Sequence, residues 1–216
     1  RAQLGEDCAV AAVMSGHWVQ GGRPAIADKW TRTKLALLGG ADLVLELPTV
    51  WAVSSAETFA RGAMELLAAA QVVDVLSFGS ECGDADKLRR AAICLNSPEY
   101  EAGLRRFVEG GTPFAAARQG AVEGLLGPEL AELLSTPNLG VEYIRALDRL
   151  NHDIRPMTIR REGAPHDSLL LGTERPRFCS ATQLRAYLGR EDWTALEPYL
   201  PQNGPEVLRA GWSGFP

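Results

Sequence analysis

Cysteine is scarce in this chain and histidine scarcer: 216 residues contain 4 Cys and 3 His. Cys8, Cys82, Cys94 and Cys179 are scattered, with neither a CxxC pair nor the Cys/His spacing of a zinc site. A disulfide framework and a structural zinc site are thereby excluded, no residue set reads as metal ligands, and free thiols in a reducing cytoplasm are expected. Long apolar runs are missing too. None approaches the ~20 residues needed to span a bilayer, and no signal-peptide pattern is visible, so the expectation is a cytoplasmic protein with no membrane partner. Nor is there an excess of positive charge. With 22 Lys and Arg against 27 Asp and Glu the net charge is −5, which argues against a broad nucleic-acid-binding surface. Basic residues are nevertheless concentrated at Arg155, Arg160, Arg161, Arg175, Arg177, Arg185 and Arg190, so RNA contact is expected as a patch. His152 and His166 read as loop residues, and no Ser/His/Asp grouping, internal repeat or low-complexity tract occurs.

What is present is an ordinary globular composition, 46% hydrophobic and 23% charged. The length suits one large domain, or one domain with an appendage. From Cys8 to Ser77 short apolar runs alternate with helical patterns, which favours parallel βαβ units over hairpins. Strands are expected at Cys8–Met14, Leu43–Leu47 and Val72–Phe78, the last closed by Gly79. A helix is expected at Ile26–Leu38, ended by Gly39-Gly40. A second should begin at Ser54, with Glu57 three residues on forming a capping box. Between Asp84 and Leu150 only helical patterns follow one another: Ala85–Leu95, Glu99–Val108, Pro113–Leu126 and Leu139–Leu150. A strand at Ile154–Ile159 and a helix at Ser180–Leu188 complete the pattern. The fold class read from this is α/β, a Rossmann-like parallel sheet with a helical insertion over about 84–150. Residues 1–190 form the main domain, and 191–216 begin a C-terminal segment or domain.

One stretch organises the rest: Met14-Ser15-Gly16-His17-Trp18-Val19-Gln20, running on through Pro24 to Arg32. An apolar strand breaks at Ser15-Gly16, passes a glycine-rich turn and enters a helix that Asp28 can cap. Ligands of open α/β sheets bind outside the carboxyl ends of the strands. Lys29, Arg32 and Thr33 share a helix face by spacing. Two cations beside such a turn suit a nucleotide or a carboxylate, and equally describe a solvated helix face. Ser180-Ala181-Thr182-Gln183 is a capping box, whose helix N-terminus would also attract phosphate, with Thr182 and Arg185 on the same side. Gly79 either serves a turn or lets a ligand approach the backbone. Asn138 either caps a helix or reads a ligand edge. Glu81 reads as a solvated loop acid. Arg160 and Arg161 end a strand, where a basic pair is either solvated or holds an anion.

These motifs together resemble one family. Ser15-Gly16-x-Trp18-Val19-Gln20 through Asp28-Lys29-Trp30-Thr31-Arg32, Ala41-Asp42-Leu43-Val44-Leu45-Glu46-Leu47-Pro48 with Ser55-Ala56-Glu57, Phe78-Gly79-Ser80-Glu81, and Ser180-Ala181-Thr182-Gln183-Leu184-Arg185 look like the corresponding blocks of the tRNA(Met) cytidine acetate ligases. These are nucleotidyltransferase-like enzymes. Order and approximate spacing agree from about Cys8 to Arg185. The resemblance implies that ATP and acetate form acetyl-adenylate with release of pyrophosphate. The acetyl group then passes to N4 of the wobble cytidine of elongator tRNA(Met). It implies ATP contacts at Gly79, Asn138, Arg160, Arg161, Ser180, Thr182 and Arg185. It further suggests Lys29 and Arg32 for acetate or the α-phosphate, Ser15, Gly16 and Gln20 as further turn contacts, and Mg²⁺ as compatible with the chemistry.

The chain departs from the family pattern at His17, where Asn is usual, at Gly21 for Arg, and at Arg23 for an acid; His17 then suits a polar contact. The element Pro137-Asn138-Leu139-Gly140-Val141-Glu142-Tyr143 is shorter than its counterpart. An H-x-G-H segment is expected before Arg1, with the chain opening inside the helix that follows it. Two alternatives stand beside the ligase: an adenylyltransferase for a small phosphate-bearing substrate, and a non-catalytic RNA- or nucleotide-binding protein.

Overall fold

Asp28 shows how the first crossover is built. Its Oδ1 accepts from the Trp30 and Thr31 N–H groups at 2.8 and 3.0 Å, and its Oδ2 accepts from Thr31 Oγ1 at 2.6 Å. A carboxylate used in this way caps a helix rather than lying inside it. Helix α1 therefore covers Lys29–Leu38 and not Ile26–Leu38, closing on Gly39 with Gly40 at φ +103°. Ile26 and Ala27 are left free to enter a core.

The computed structural model of the chain describes residues 1–134, 138–162 and 178–212. They divide into two units, 1–53 with 162–216, and 54–161. The first unit opens with β1 (Ala11–Ser15), a short hairpin of β2 (Trp18–Val19) and β3 (Arg23–Pro24), then α1, β4 (Leu43–Leu47) and α2 (Thr49–Ala52). The second unit runs α3 (Ala56–Ala70), β5 (Val75–Ser80), α4 (Ala85–Leu95), α5 (Pro98–Glu109), α6 (Phe114–Leu126), α7 (Pro128–Glu132), α8 (Leu139–Leu150) and β6 (Arg155–Arg160). The chain then returns to the first unit with α9 (Ala181–Gly189), α10 (Trp193–Leu196), a 3₁₀ turn at Glu197–Tyr199 and α11 (Gly204–Gly211). No helix among the described residues is long and apolar enough to cross a membrane.

Each unit holds one parallel strand pair. In the first, β1 lies beside β4 from Ala11↔Leu43 to Ser15↔Leu47. In the second, β5 lies beside β6 from Val75↔Arg155 to Ser80↔Arg160. Parallel βαβ pairing is thus as expected, while the strand limits move. Residues 8–10 stay outside β1 because the Val10 N–H donates to the Asp42 carboxylate at 2.7 Å. Strand β5 begins and ends later than the apolar run, since Arg155 N–H bonds Asp74 O and Arg161 N–H bonds Ser80 O at 2.9 Å each. Gly79 consequently lies within the ladder opposite Ile159 and does not close the strand. The β2–β3 hairpin, α2 and α7 were not foreseen, being too short for a periodic signal.

The cap of α3 is Ser55, whose Oγ accepts from Thr58 N–H at 3.4 Å. That corrects the expected Ser54–Glu57 box. Glu57 falls one position short of reaching back and turns instead to Arg145 and Arg149.

The cores differ in size. In the second unit Leu88, Leu95, Tyr100, Val122, Val141 and Ile144 anchor a cluster contributed by five helices. Each fully buried Leu, Ile or Val contributes about 1.5–3 kcal/mol. In the first unit Ala27, Leu188, Leu196 and Leu208 form a smaller cluster under Leu35, Tyr187, Trp193 and Trp212. There α11 lies so close to α1 that a Cβ on Gly211 would fall 2.0 Å from Thr31 Oγ1. Gly211 is required by that approach.

Candidate functional site

In the first unit the carboxyl ends of β1 and β4 meet the start of α1. Ser15 ends β1 and Gly16 follows it, both buried. Arg32, one turn into α1, donates from Nη1 to the carbonyls of Ser15 and Gly16 at 2.9 and 2.6 Å. Those carbonyls would otherwise face the site as negative dipoles, so the guanidinium neutralises the strand end that carries it. Burial, and then the charge of Arg185, push the Arg32 pKa down. An arginine stays protonated under such pressure, so both guanidinium groups carry positive charge on this unit. Like charges held together attract an anion.

Arg185 belongs to α9, whose start is organised by Ser180: its Oγ accepts from the Gln183 N–H at 3.0 Å. Ser180 and Gln183 are buried, and Thr182 and Arg185 are partly exposed. The expected cap therefore exists, and the positive end of a helix macrodipole accompanies it. Lys29 lies at the first position of α1. Its Nζ donates to Glu46 Oε2 at 2.7 Å and stands 5.2 Å from the Trp30 ring centre. Gln20 lies in the exposed turn between β2 and β3, with Gly21 and Gly22 at φ +84° and +71°. His17 is exposed, accepts through its carbonyl from Ala25 N–H at 2.8 Å and contributes to holding Asp28 below the usual carboxylate range, chiefly an effect of the Thr31 hydrogen bonds.

The remaining candidates gather in the second unit, at the carboxyl ends of β5 and β6. Gly79 is exposed there, and a Cβ on it would touch the Arg161 side chain at 3.5 Å. Arg161 reaches Glu81 at 3.5 Å. Arg160 packs against Gly83, which has φ +63° and no room for a Cβ. Asn138 caps α8: its Oδ1 accepts from Val141 N–H, and its Nδ2 donates to Leu133 O, both at 3.3 Å. The start of α8 is drawn onto β5 by Gly140, where a Cβ would fall 2.6 Å from the Phe78 ring. Ser80 Oγ links the strand ends, accepting from Gly83 N–H at 3.0 Å and lying 2.7 Å from Thr158 Oγ1. A glycine, two arginines and a helix N-terminus thus share one strand end.

The sequence-predicted residues accordingly fall into two groups: Ser15, Gly16, Gln20, Lys29, Arg32, Ser180, Thr182 and Arg185 in one unit, and Gly79, Asn138, Arg160 and Arg161 in the other. The basic patch divides likewise, with Arg155 in the second unit and Arg190 in the first. Arg175, Arg177, His166 and Pro137 lie outside the described residues. Among the described residues no three His, Cys, Asp or Glu side chains are grouped to hold a metal ion. The four cysteines are unpaired. Two features escaped sequence reasoning. Glu46 is an acid inside the apolar strand Leu43–Leu47, which was a readable signal. Glu142 is buried between Arg118 and Arg145, and only helical periodicity placing it toward the core would have flagged it.

A family model described as HIGH nucleotidyl transferase matches residues 1–213. Curated relatives named tRNA(Met) cytidine acetate ligase are similar to nearly the whole chain. The one from Thermoanaerobacter sp. (strain X514) is 42% identical over 206 residues, covering 93% of this chain and 51% of the relative. That from Caldanaerobacter subterraneus subsp. tengcongensis is 44% identical over 204 residues, covering 92% and 50%. Among solved structures, Thermotoga maritima TmcAL bound with alpha-thio ATP superposes with a TM-score of 0.81 at 36% identity, over 94% of this chain and 48% of that one. Its apo form gives 0.84 at 37% identity, over 94% and 49%. The fold is therefore the nucleotidyltransferase-like α/β fold. The chain spans about half the length of the curated relatives it matches.

Proposed function

The chain belongs to the HIGH nucleotidyl transferase family, and on that premise we propose that it carries the ATP-handling part of a tRNA(Met) cytidine acetate ligase. The geometry that supports this most is in the first unit, where Arg32 holds the Ser15 and Gly16 carbonyls and Arg185, whose charge acts on Arg32, follows the Ser180-capped start of α9. Relatives of that name, and a neighbour's complex with an ATP analogue, point the same way.

In this reading Ser180, Thr182 and Arg185 hold the triphosphate, through backbone N–H groups, a hydroxyl and a guanidinium. Lys29 meets acetate or the α-phosphate. Acetate oxygen attacks the α-phosphorus, the bond to the β-phosphate oxygen breaks, and pyrophosphate leaves with that electron pair. Arg32 contributes charge to the pentavalent transition state while keeping the Ser15–Gly16 turn in place. Holding both reactants removes the entropy of their encounter. The acetyl group then passes to N4 of the wobble cytidine of elongator tRNA(Met), and AMP departs. In the second unit by itself, Gly79 presents open backbone at a strand end that also carries Arg160, Arg161 and Asn138, the residues for which the family resemblance implies ATP contact. Residues 1–190 form the catalytic domain in this reading. Residues 191–216 are the start of a C-terminal segment or domain in the same reading, with Leu196 and Leu208 clustered on Leu188 of α9. With tRNA, ATP and acetate as substrates, a cytoplasmic location goes with this reading.

The test is nucleoside mass spectrometry of elongator tRNA(Met) after incubation with the complete gene product, ATP and acetate. N4-acetylcytidine requiring both small molecules is the expected result. Pyrophosphate release without dependence on acetate or tRNA would favour an adenylyltransferase for another substrate.

A further inference from the structure

Glu46 is a carboxylate in a run of leucines and valine, and the strand pairing decides where it points. It lies opposite Met14, one residue from the carboxyl end of β4. Its two oxygens face different neighbours, Lys29 and the turn after β1. Oε2 accepts from Lys29 Nζ at 2.7 Å. Oε1 lies across the turn after β1, where a Cβ on Gly16 would fall 2.2 Å from it and 3.1 Å from the carboxyl carbon. Gly16 makes room for this carboxylate. Its carbonyl is held by Arg32 at 2.6 Å, so the turn under Glu46 has little freedom of its own.

The Lys29–Glu46 pair is open to water, with side-chain exposures of 27% and 45%. Such pairs contribute little to stability. What this one does is geometric. A lysine side chain has four rotatable bonds and no fixed direction, and Lys29 occupies the first position of α1, where its own helix offers it the face of the Trp30 ring at 5.2 Å. The carboxylate gives the ammonium one address at the strand end.

We propose that Glu46 is a positioning residue for Lys29 in acetate activation, with Gly16 as the residue that admits it. The assignment rests on the reading above that Lys29 meets acetate or the α-phosphate. Glu46 acts through the lysine: removing its charge leaves the ammonium in place on the chain but without a defined position, so attack geometry suffers more than ATP binding does. Misplacement of a reacting group by about 1 Å costs on the order of 10²-fold in rate.

The experiment is acetate-dependent ATP–pyrophosphate exchange by the complete gene product, with Glu46→Gln, Glu46→Asp, Gly16→Ala, Lys29→Met and the double variant Glu46→Gln/Lys29→Met. Glu46→Gln is expected to lower kcat/KM for acetate by roughly 10- to 100-fold, with KM for ATP and Tm unchanged. Glu46→Asp should recover part of the loss. Gly16→Ala, which drives the carboxylate aside without altering charge, should reproduce the defect. The double variant should be no worse than Lys29→Met alone. Wild-type acetate kinetics in Glu46→Gln, or losses that add in the double variant, would overturn the assignment while leaving the ligase reading intact. Wild-type protein without acetate-dependent exchange would overturn the ligase reading and this assignment together.

Discussion

The two units use the same materials to opposite ends. Each carries one parallel strand pair with charged residues nearby, but in the first unit the charges stand at the strand ends and in the second a set of them is driven into the helices. Glu142, 2% exposed, is held between Arg118 and Arg145. Arg145 and Arg149 share Glu57 at 3.1 and 3.0 Å. Asn96 Oδ1 accepts from Nε of both arginines at 3.1 and 2.9 Å. This network ties α8 to α3, α4 and α6, and so fixes the helix whose first residues sit at the second strand end. In the first unit Lys29 and Glu46 remain half in water. Burial is what separates the roles: a buried charge left unpaired is costly, whereas an exposed pair can be broken cheaply and serve chemistry.

The largest expected effect tests the structural half of that contrast. Glu142→Ala removes the buried carboxylate between Arg118 and Arg145, leaving Arg145 to Glu57 and Asn96, and should destabilise the protein by about 3–5 kcal/mol, read from urea unfolding. A loss under about 1 kcal/mol, the size of an exposed pair, would erase the distinction between the units. Next in size is Arg185→Ala. On the proposed reading it removes one charge-assisted contact of about 1.5–3 kcal/mol, so ATP affinity measured by calorimetry should fall on the order of 10- to 100-fold. Stability should change little, and an unfolded variant with no separable binding defect would move Arg185 to the structural side.

The smallest effect sharpens the comparison by pH. Thr31, through its side chain and its backbone N–H, holds the Asp28 carboxyl below the usual range. A depressed carboxylate contributes stability that is present above the unfolded value of about 3.9 and is lost as pH falls through the folded value. Asp28→Asn keeps a capping oxygen but no charge, so it should flatten the acid limb of the first unit's stability. Asp28→Ala should cost about 1 kcal/mol at neutral pH. Thermal unfolding across pH 2 to 6 would check both, and an acid limb identical to wild type in Asp28→Asn would place the linkage elsewhere.

Much of the second unit could be read before any coordinates. Helices at Ala85–Leu95 and Leu139–Leu150 were legible to the residue, because Asp84 and Asn138 cap them and apolar residues repeat along one face. Strand limits were less legible. A ladder is set by its partner, so Val75–Ser80 starts where β6 begins to pair and not where the apolar run begins. The turn motif and the Ser180 cap could be located from local spacing and family resemblance. That these two share one unit, while Gly79, Asn138, Arg160 and Arg161 fall in the other, could not, because nothing in the spacing says which side of a chain reversal a residue joins.

From its sequence alone this protein was already an α/β nucleotidyltransferase-like chain with capped helices and a named set of polar candidates. Those properties rest on contacts within a few residues, on periodicity and on recognisable blocks. Tertiary structure alone decided the partners of the charges: Lys29 with Glu46, Arg32 with the carbonyls of Ser15 and Gly16, Arg149 with Glu57. Those partners lie from 16 to 92 residues apart, and electrostatic pairing depends on distance and burial in the folded chain, to which sequence separation contributes nothing.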